Sequence, residues 1–449
     1  MSSRSVKWLI LASVLLVALP VVAGASTSRI AGLGVQGDYI KDYTNIFGYP
    51  SCVANVGNLV YGELGQVTDY DENYSEFFGT EDRSVGAVLG NLWDGKFGTF
   101  AFHMREYSPA LGTNFQPYIG YEAYLDEYLF GTGFETFAPY IDPNVPYETG
   151  YTPFFNGFDG LPYGVEAFDL MWGKKINKMS FGLRLNRSFF KATDTNPEQT
   201  VEGYADDDRN VLGFGGGFGY DMSEKASFEL GVLYQMRSFK FENSAGDVYE
   251  SDGGGAYLVS ARMMWQWQPN VLVVPVARFY SFDMSSKTTP FEGESSPYEE
   301  KYSGWQAGVS GNWTLNQNDL FVAGVTFASN TADYTTDEEK YTESLMPTMF
   351  AALETKLNSW LTLRFGGRKG VFYSLKYEDT AEGADNEEKV SLSPFQFFMG
   401  AGVKLGTLQL DATMAQDFFH NPATYITGSP NGENYYSSLF PKVTATYSF

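Results

Sequence analysis

Apolar and polar residues alternate along most of this chain with a period of two, the repeat of a β-strand that presents one apolar and one polar face. Phe181, Leu183 and Leu185 make one apolar row, Tyr257, Val259, Ala261 and Met263 a second, and Leu361, Leu363 and Phe365 a third. The pattern runs on to residues 441–449 (PKVTATYSF), where Val443, Ala445, Tyr447 and Phe449 alternate with Thr444, Thr446 and Ser448. Short polar turns fall at Asp94-Gly95 and at residues 173–177, 221–225, 268–270, 316–319, 358–359 and 405–406. Longer connections fall at 66–82, 107–164, 192–208, 243–254, 285–300, 331–344, 378–388 and 421–436. Seven turns and eight connections predict sixteen strands, the first at residues 55–65 and the last at 439–449, with fourteen as the alternative if the first segments are misread. An even count puts both termini at one end of an up-and-down antiparallel sheet. Pro275 interrupts the strand after residues 268–270, so a bulge is expected there.

Composition turns this sheet into a membrane protein. Aromatics make up 17% of the 449 residues and charged residues 19%, a mix too rich in rings for a disordered chain. A net charge of -24 argues against nucleic acid as a partner. Cys52 is the only cysteine, so neither an intrachain disulfide nor a Cys/His zinc cluster is expected. Residues 1–25 read as a secretory signal peptide, with Arg4 and Lys7 before an apolar run at 8–19 and Ala23-Gly24-Ala25 as the cleavage site, which makes Ser26 the first mature residue. Beyond it no apolar run reaches the ~20 residues of a spanning helix. An exported chain of alternating strands predicts an all-β fold, a transmembrane antiparallel up-and-down β-barrel in the bacterial outer membrane with short periplasmic turns and long extracellular loops. The division expected is a periplasmic or hatch segment at 26–54 and a barrel at 55–449, with 107–164 as a long loop insertion. Trp93, Trp172, Trp265, Trp267, Trp313 and Trp360 all lie near short turns, as an interfacial girdle would.

Two stretches resemble known proteins. The last strand resembles the closing strand of Gram-negative outer-membrane barrels, and the resemblance makes Tyr447 and Phe449 the signal read by the barrel-assembly machinery. Near the other end, Gly32, Gly34 and Gly37 have the G-x-G-x-x-G spacing, but a cleavage site rather than a strand precedes them, so no dinucleotide site is expected. With RIAGLG at 29–34, Asp42 and IFGYPS at 46–51, the segment resembles the N-terminal stretch of FadL-type fatty-acid transporters and their barrel relatives. Tyr49-Pro50-Ser51 stands where that family has an Asn-Pro-Ala-like turn. The resemblance implies a hatch packed inside the barrel and diffusion of a hydrophobic molecule past it.

Charge divides between connections and strand bodies. Acids crowd the connections, at Asp69, Asp71, Glu72, Asp206, Asp207, Asp208, Glu338, Glu339, Glu387 and Glu388, where divalent ions could bridge them to lipopolysaccharide phosphates. The polar rows of the strands carry His103, Arg105, Arg184, Arg237, Arg262, Lys356, Arg364, Arg368 and Lys404 against Asp169, Glu229, Glu354, Asp411 and Asp417, so a mixed lumen wall leaning basic is expected. His103 and His420 are the only histidines. With no G-x-S-x-G elbow and no metal-ligand spacing, no catalytic, cofactor or metal site is expected. Asp69-x-Asp71-x-Asn73 has Tyr74 where a calcium loop needs Gly. Residues 107–164, dense in rings at 151–163 (YTPFFNGFDGLPY), should pack over or fold into the barrel mouth as a constriction. Glycines on the lumen row of residues 213–219 (GFGGGFG) would leave room for a plug or loop against the wall. Passive uptake of a small solute through a porin-like, partly occluded channel is the first functional reading. FadL-type transport of a hydrophobic molecule and a non-conducting scaffold or adhesin are the alternatives.

Overall fold

A computed structural model describes residues 26–66, 81–90, 92–105, 167–193, 206–242, 246–253, 255–283, 285–336, 338–381, 387–393, 395–414, 439–440 and 442–449. The leader, the insertion at 107–164, Asp417 and His420 lie outside the described residues.

Sixteen strands close into one antiparallel barrel. In chain order they are β1 (Leu59–Gln66), β2 (Glu81–Leu89), β3 (Thr99–Arg105), β4 (Ala167–Ile176), β5 (Met179–Thr193), β6 (Asp206–Ser223), β7 (Ala226–Glu242) and β8 (Gly255–Gln268). There follow β9 (Val271–Asp283), β10 (Glu300–Thr314), β11 (Asp319–Tyr334) and β12 (Glu339–Lys356). β13 (Leu361–Gly370, continued by Tyr373–Asp379) and β14 (Glu387–Leu392, continued by Phe395–Leu405) are each interrupted once; β15 (Leu408–Thr413) and β16 (Lys442–Ser448) complete the wall. Three short strands, Val248–Ser251, Ser286–Thr289 and Ser296–Tyr298, extend the sheet beyond β7 at the loop end. The seam is β1 against β16, paired from Leu59–Ser448 to Gly65–Lys442. A closed sheet has no unpaired edge, which is what hydrocarbon demands of a β structure.

The period of two sorts the side chains. Phe102, Met104, Leu183, Phe279, Trp305, Met349 and Phe365 are exposed on the outside, while Ala101, His103, Arg184, Tyr280, Phe350 and Arg364 are buried within. Trp265, Trp267 and Trp360 are exposed beside short turns, and Trp172 and Trp313 are half-buried on the same outer face. Trp93 lies in the turn Leu92–Gly95 between β2 and β3. Tyr447 and Phe449 project at the short-turn end with their rings stacked at 6.1 Å, and the Phe449 N–H donates to the Asn58 carbonyl at 3.3 Å.

Two features differ from expectation. Strands run further into the connections than alternation showed: Gly173 lies inside β4, Asp206, Asp207 and Asp208 open β6, Glu339 opens β12, and Glu387 and Glu388 open the outer part of β14. Backbone pairing continues there through residues whose polar composition suits a turn or a connection equally well. Nor does Pro275 bulge; it keeps register opposite Val309, and the irregularity against β8 falls between Val271 and Leu272. A missing N–H removes one ladder bond without inserting a residue.

Because the sheet is closed, unheated protein should run faster than boiled protein on a detergent gel; equal mobility would contradict a closed barrel. Deleting Phe449 removes one exposed ring, worth at most ~1.5–3 kcal/mol in burial. Its loss should slow appearance of the fast-migrating form in cells while leaving the melting of the finished barrel within a few degrees. A large melting change with normal assembly would make the residue a structural one.

Candidate functional site: the occupied lumen

Residues 26–55 lie inside the barrel and are almost wholly buried. Small and turn-forming residues make this segment a chain of short coils. Helix α1 (Thr27–Leu33) opens on Ser26, whose hydroxyl accepts from the Arg29 N–H, and closes on Gly34 at φ 60°, a left-handed conformation that suits glycine. Single 3-10 turns follow at Gly37–Tyr39, Tyr43–Ile46 and Pro50–Asn55. Asp42 caps the second, accepting from the Thr44 N–H at 2.9 Å, while the Asn45 side chain accepts from the Asp42 N–H at 2.9 Å.

Two apolar clusters anchor the segment. Ile30, Leu33, Val35, Tyr39 and Ile40 pack on Val274, Val276, Val322, Phe350 and Ala352, and on the other side Tyr43, Ile46, Phe47, Tyr49 and Val53 pack with Tyr61, Val88, Ala101 and Met171. Polar contacts complete the ring. Ser26 donates to Asp411 in β15 at 3.0 Å, Ser28 meets Thr444 in β16 at 2.7 Å, and Gln306 in β10 donates to Gln36 at 2.7 Å. Tyr39 meets Thr326 in β11 at 3.0 Å, and Asn312 donates to the Tyr39 carbonyl at 2.8 Å. Together with the contacts below, the segment touches strands all round the wall.

Glycine admits it. Gly173, Gly182, Gly217 and Gly231 are mutually paired across β4, β5, β6 and β7, and a Cβ on any of them would fall against the backbone of residues 48–54. Gly217 belongs to the 213–219 run, and the space it leaves holds Pro50 and Ser51. Across the barrel, Gly366 in β13 lies under the Leu33 carbonyl and Gly400 in β14 against Gly32.

The charged wall residues pair with carboxylates or with the segment. Arg184 binds Asp169 through Nε at 2.8 Å, donates to the Phe47 carbonyl at 2.7 Å and lies over the Phe47 ring. Arg262 binds Glu229 at 2.6 Å, donates to the Asp38 carbonyl at 2.9 Å and stacks 4.5 Å from the Tyr49 ring. Arg278 pairs with Asp38. Arg364 spans Glu354 and Asp411, each at 2.7 Å, and Arg29 of α1 joins Glu354 at 2.7 Å and Asp42 at 3.4 Å. Arg368 donates to the Gly34 carbonyl and stacks on Phe398 at 5.0 Å. His103 meets the Tyr61 hydroxyl through Nδ1 at 2.9 Å and the edge of Phe47. Buried charges are tolerable when matched in this way.

Lys356 and Lys404 stand apart, exposed at the short-turn end. Arg105 and Arg237 are placed by their backbones in β3 and β7. Sequence reasoning did not single out Arg29, Asp38 or Arg278. On β9 both rows are apolar, since Val274 and Val276 face the segment while Val273 and Ala277 face out, so parity gave Arg278 no contrast. Toward the loop end, beyond the segment, the inner wall turns to tyrosine. Tyr280 donates to Asn330, Tyr302 meets the Tyr334 hydroxyl at 2.9 Å, and the rings of Tyr334, Tyr341 and Tyr377 succeed one another at 5.7 and 5.1 Å.

Fold and contents together define a closed transmembrane β-barrel whose lumen is occupied by the chain's own N-terminal segment. No protein-family model and no curated protein matches the chain. Among solved structures it is similar to the Pseudomonas putida toluene transporter TodX, at 9% identity over 94% of this chain and 96% of that one, TM-score 0.37. It is also similar to a Pseudomonas aeruginosa FadL homologue, at 11% identity over 95% and 98%, TM-score 0.38. For the copper transporter OprC the figures are 12%, 80% of this chain and 52% of that one, and 0.41. At such identities the likeness concerns barrel architecture alone.

Proposed function

We propose that this protein is an outer-membrane transport barrel that passes a small solute by moving its N-terminal plug, instead of holding a standing pore open. The observation that carries this reading is the plug itself, a buried segment in contact with strands all round the wall. A porin-like channel biased by lumen cations is supported less well, because Arg184, Arg262 and Arg364 each meet a carboxylate. In this reading the short turns face the periplasm, the acidic connections face lipopolysaccharide, the outer belt faces lipid, and the terminal strand is delivered by the barrel-assembly machinery. The tyrosine-lined wall beyond the plug favours a solute with an apolar body and a few polar atoms, since each ring offers an apolar face and a hydroxyl. Such a solute fits the FadL-type alternative.

Permeation into liposomes tests the reading. Small aromatic solutes should enter protein-containing vesicles several-fold faster than sugars of similar mass, and replacing Tyr302, Tyr334 and Tyr341 together by Ala should remove most of that preference. Equal, size-limited entry of both solute types would support a porin, and no entry of either would support a scaffold.

A further inference from the structure

Among the described residues, the plug is held at its start by a charge cluster with one carboxylate in excess. Asp42 of the plug, Glu354 of β12 and Asp411 of β15 face Arg29 of α1 and Arg364 of β13, with contacts of 2.7 to 3.4 Å throughout. Glu354 lies between both guanidiniums, while Asp411 shares Arg364 and is otherwise met by neutral donors, the Ser26 hydroxyl at 3.0 Å and the Gln409 amide at 2.8 Å. Asp411 and Ser26 are both fully buried. A lone excess charge in such a place is strongly unfavourable, because burial strips its hydration and no partner replaces it. The backbone nitrogen of Ser26 is three bonds from the hydroxyl that touches Asp411.

We propose that the missing positive charge is the α-ammonium of Ser26 itself, created when the leader is removed, so that proteolytic maturation seats the plug. Hydrolysis of the Ala25–Ser26 bond puts the water hydroxyl on the Ala25 carbonyl carbon and a proton on the Ser26 nitrogen. That amine takes a further proton from solvent, and the new Ala25 carboxyl loses one. Before cleavage the nitrogen is a neutral amide and the cluster stays one charge short; afterwards three carboxylates face three cations. The plug therefore docks tightly only in a chain that has been exported and processed. The inference rests on the reading of residues 1–25 as a leader and not on the transported solute.

Intact-mass measurement of protein extracted from membranes comes first. A mature chain beginning at Ser26 is required; any other first residue overturns the proposal, while the plug's closure of the lumen stands or falls separately. In a Cys52→Ala background, Ser28→Cys then reports local opening through its rate of reaction with N-ethylmaleimide. One Gly inserted between Ala25 and Ser26 shifts the ammonium by a residue and leaves every wall side chain in place. That insertion and Asp411→Asn should each raise the labelling rate at least tenfold, the two together no more than either alone, and Asp411→Glu should restore protection. Retained fast migration of unheated samples shows that each barrel has folded. If the Gly-extended chain is labelled as slowly as the native one, or the native chain as fast as the unfolded one, the ammonium has no seating role.

Discussion

Replacing Arg364 by Gln should destabilise the barrel by about 3–5 kcal/mol, the usual penalty for removing one partner of a buried ion pair. The guanidinium is 2% exposed and divides its donors between Glu354 and Asp411. Glutamine is shorter and uncharged, so it can satisfy at most one of the two, and Arg29 is left to balance Asp42 and Glu354 alone. Both carboxylates descend from neighbouring strands, β12 and β15, that flank β13 and β14, so the loss is felt by the wall as well as by the plug. The melting of the fast-migrating form in a temperature series on gels reads this directly. Arg368→Gln should loosen the first coil of the plug, since that side chain donates to the Gly34 carbonyl and lies over the Phe398 ring. Unchanged melting with altered anion preference in the Arg364 variant would restore the picture of a basic strip lining an open lumen.

A second large effect is expected at the glycine row. Leucine at Gly182 and Gly217 together would thrust two side chains into space held by Pro50 and Ser51, and close-packed interiors have no slack for that. Both sites lie in regular antiparallel ladders, where leucine is no worse a strand residue than glycine, so the wall should persist while the plug leaves. Cys52 supplies a native reporter. It is 7% exposed, with Sγ 3.7 Å from an Arg262 nitrogen. Its labelling by a maleimide should accelerate by at least two orders of magnitude in the double variant. Gly216→Leu is the control, because a Cβ there meets open space, and it should leave labelling unchanged. Equal protection of Cys52 in both variants would mean that the row is no seat for the plug.

How far the sequence disclosed this molecule depends on which side chain is asked about. Alternation in β5, β8 and β13 identified the outward rows because those faces are uniformly apolar and their inner partners polar, as with Leu183 beside Arg184. Turn chemistry gave the strand number for the same reason: each hairpin end is a short polar break. The interior was harder to read. An inner row facing solvent would be polar throughout, but here it faces a protein segment, so Val274, Val276, Phe350 and Ala352 are apolar and blur the parity. Lumen charges such as Arg184, Arg262 and Arg364 could be named residue by residue, but Arg278 could not, nor could the balance of the whole, because Asp38, Asp42 and Arg29 come from a segment without periodicity. The run at 213–219 pointed to space on the wall, yet only the register reveals that Gly173, Gly182 and Gly231 continue it across three more strands. Strand ends beyond the apolar belt left no signal at all, since acids such as Asp206 and Glu387 suit a loop and a solvated strand equally.

The plug as a closure of the lumen is tested most directly by current through planar bilayers. Mature protein should insert without a steady conductance, with at most brief openings, whereas a chain lacking residues 27–54 should give large, persistent, uniform steps. If the intact protein already conducts steadily at the level of the deleted one, the N-terminal segment does not close the barrel.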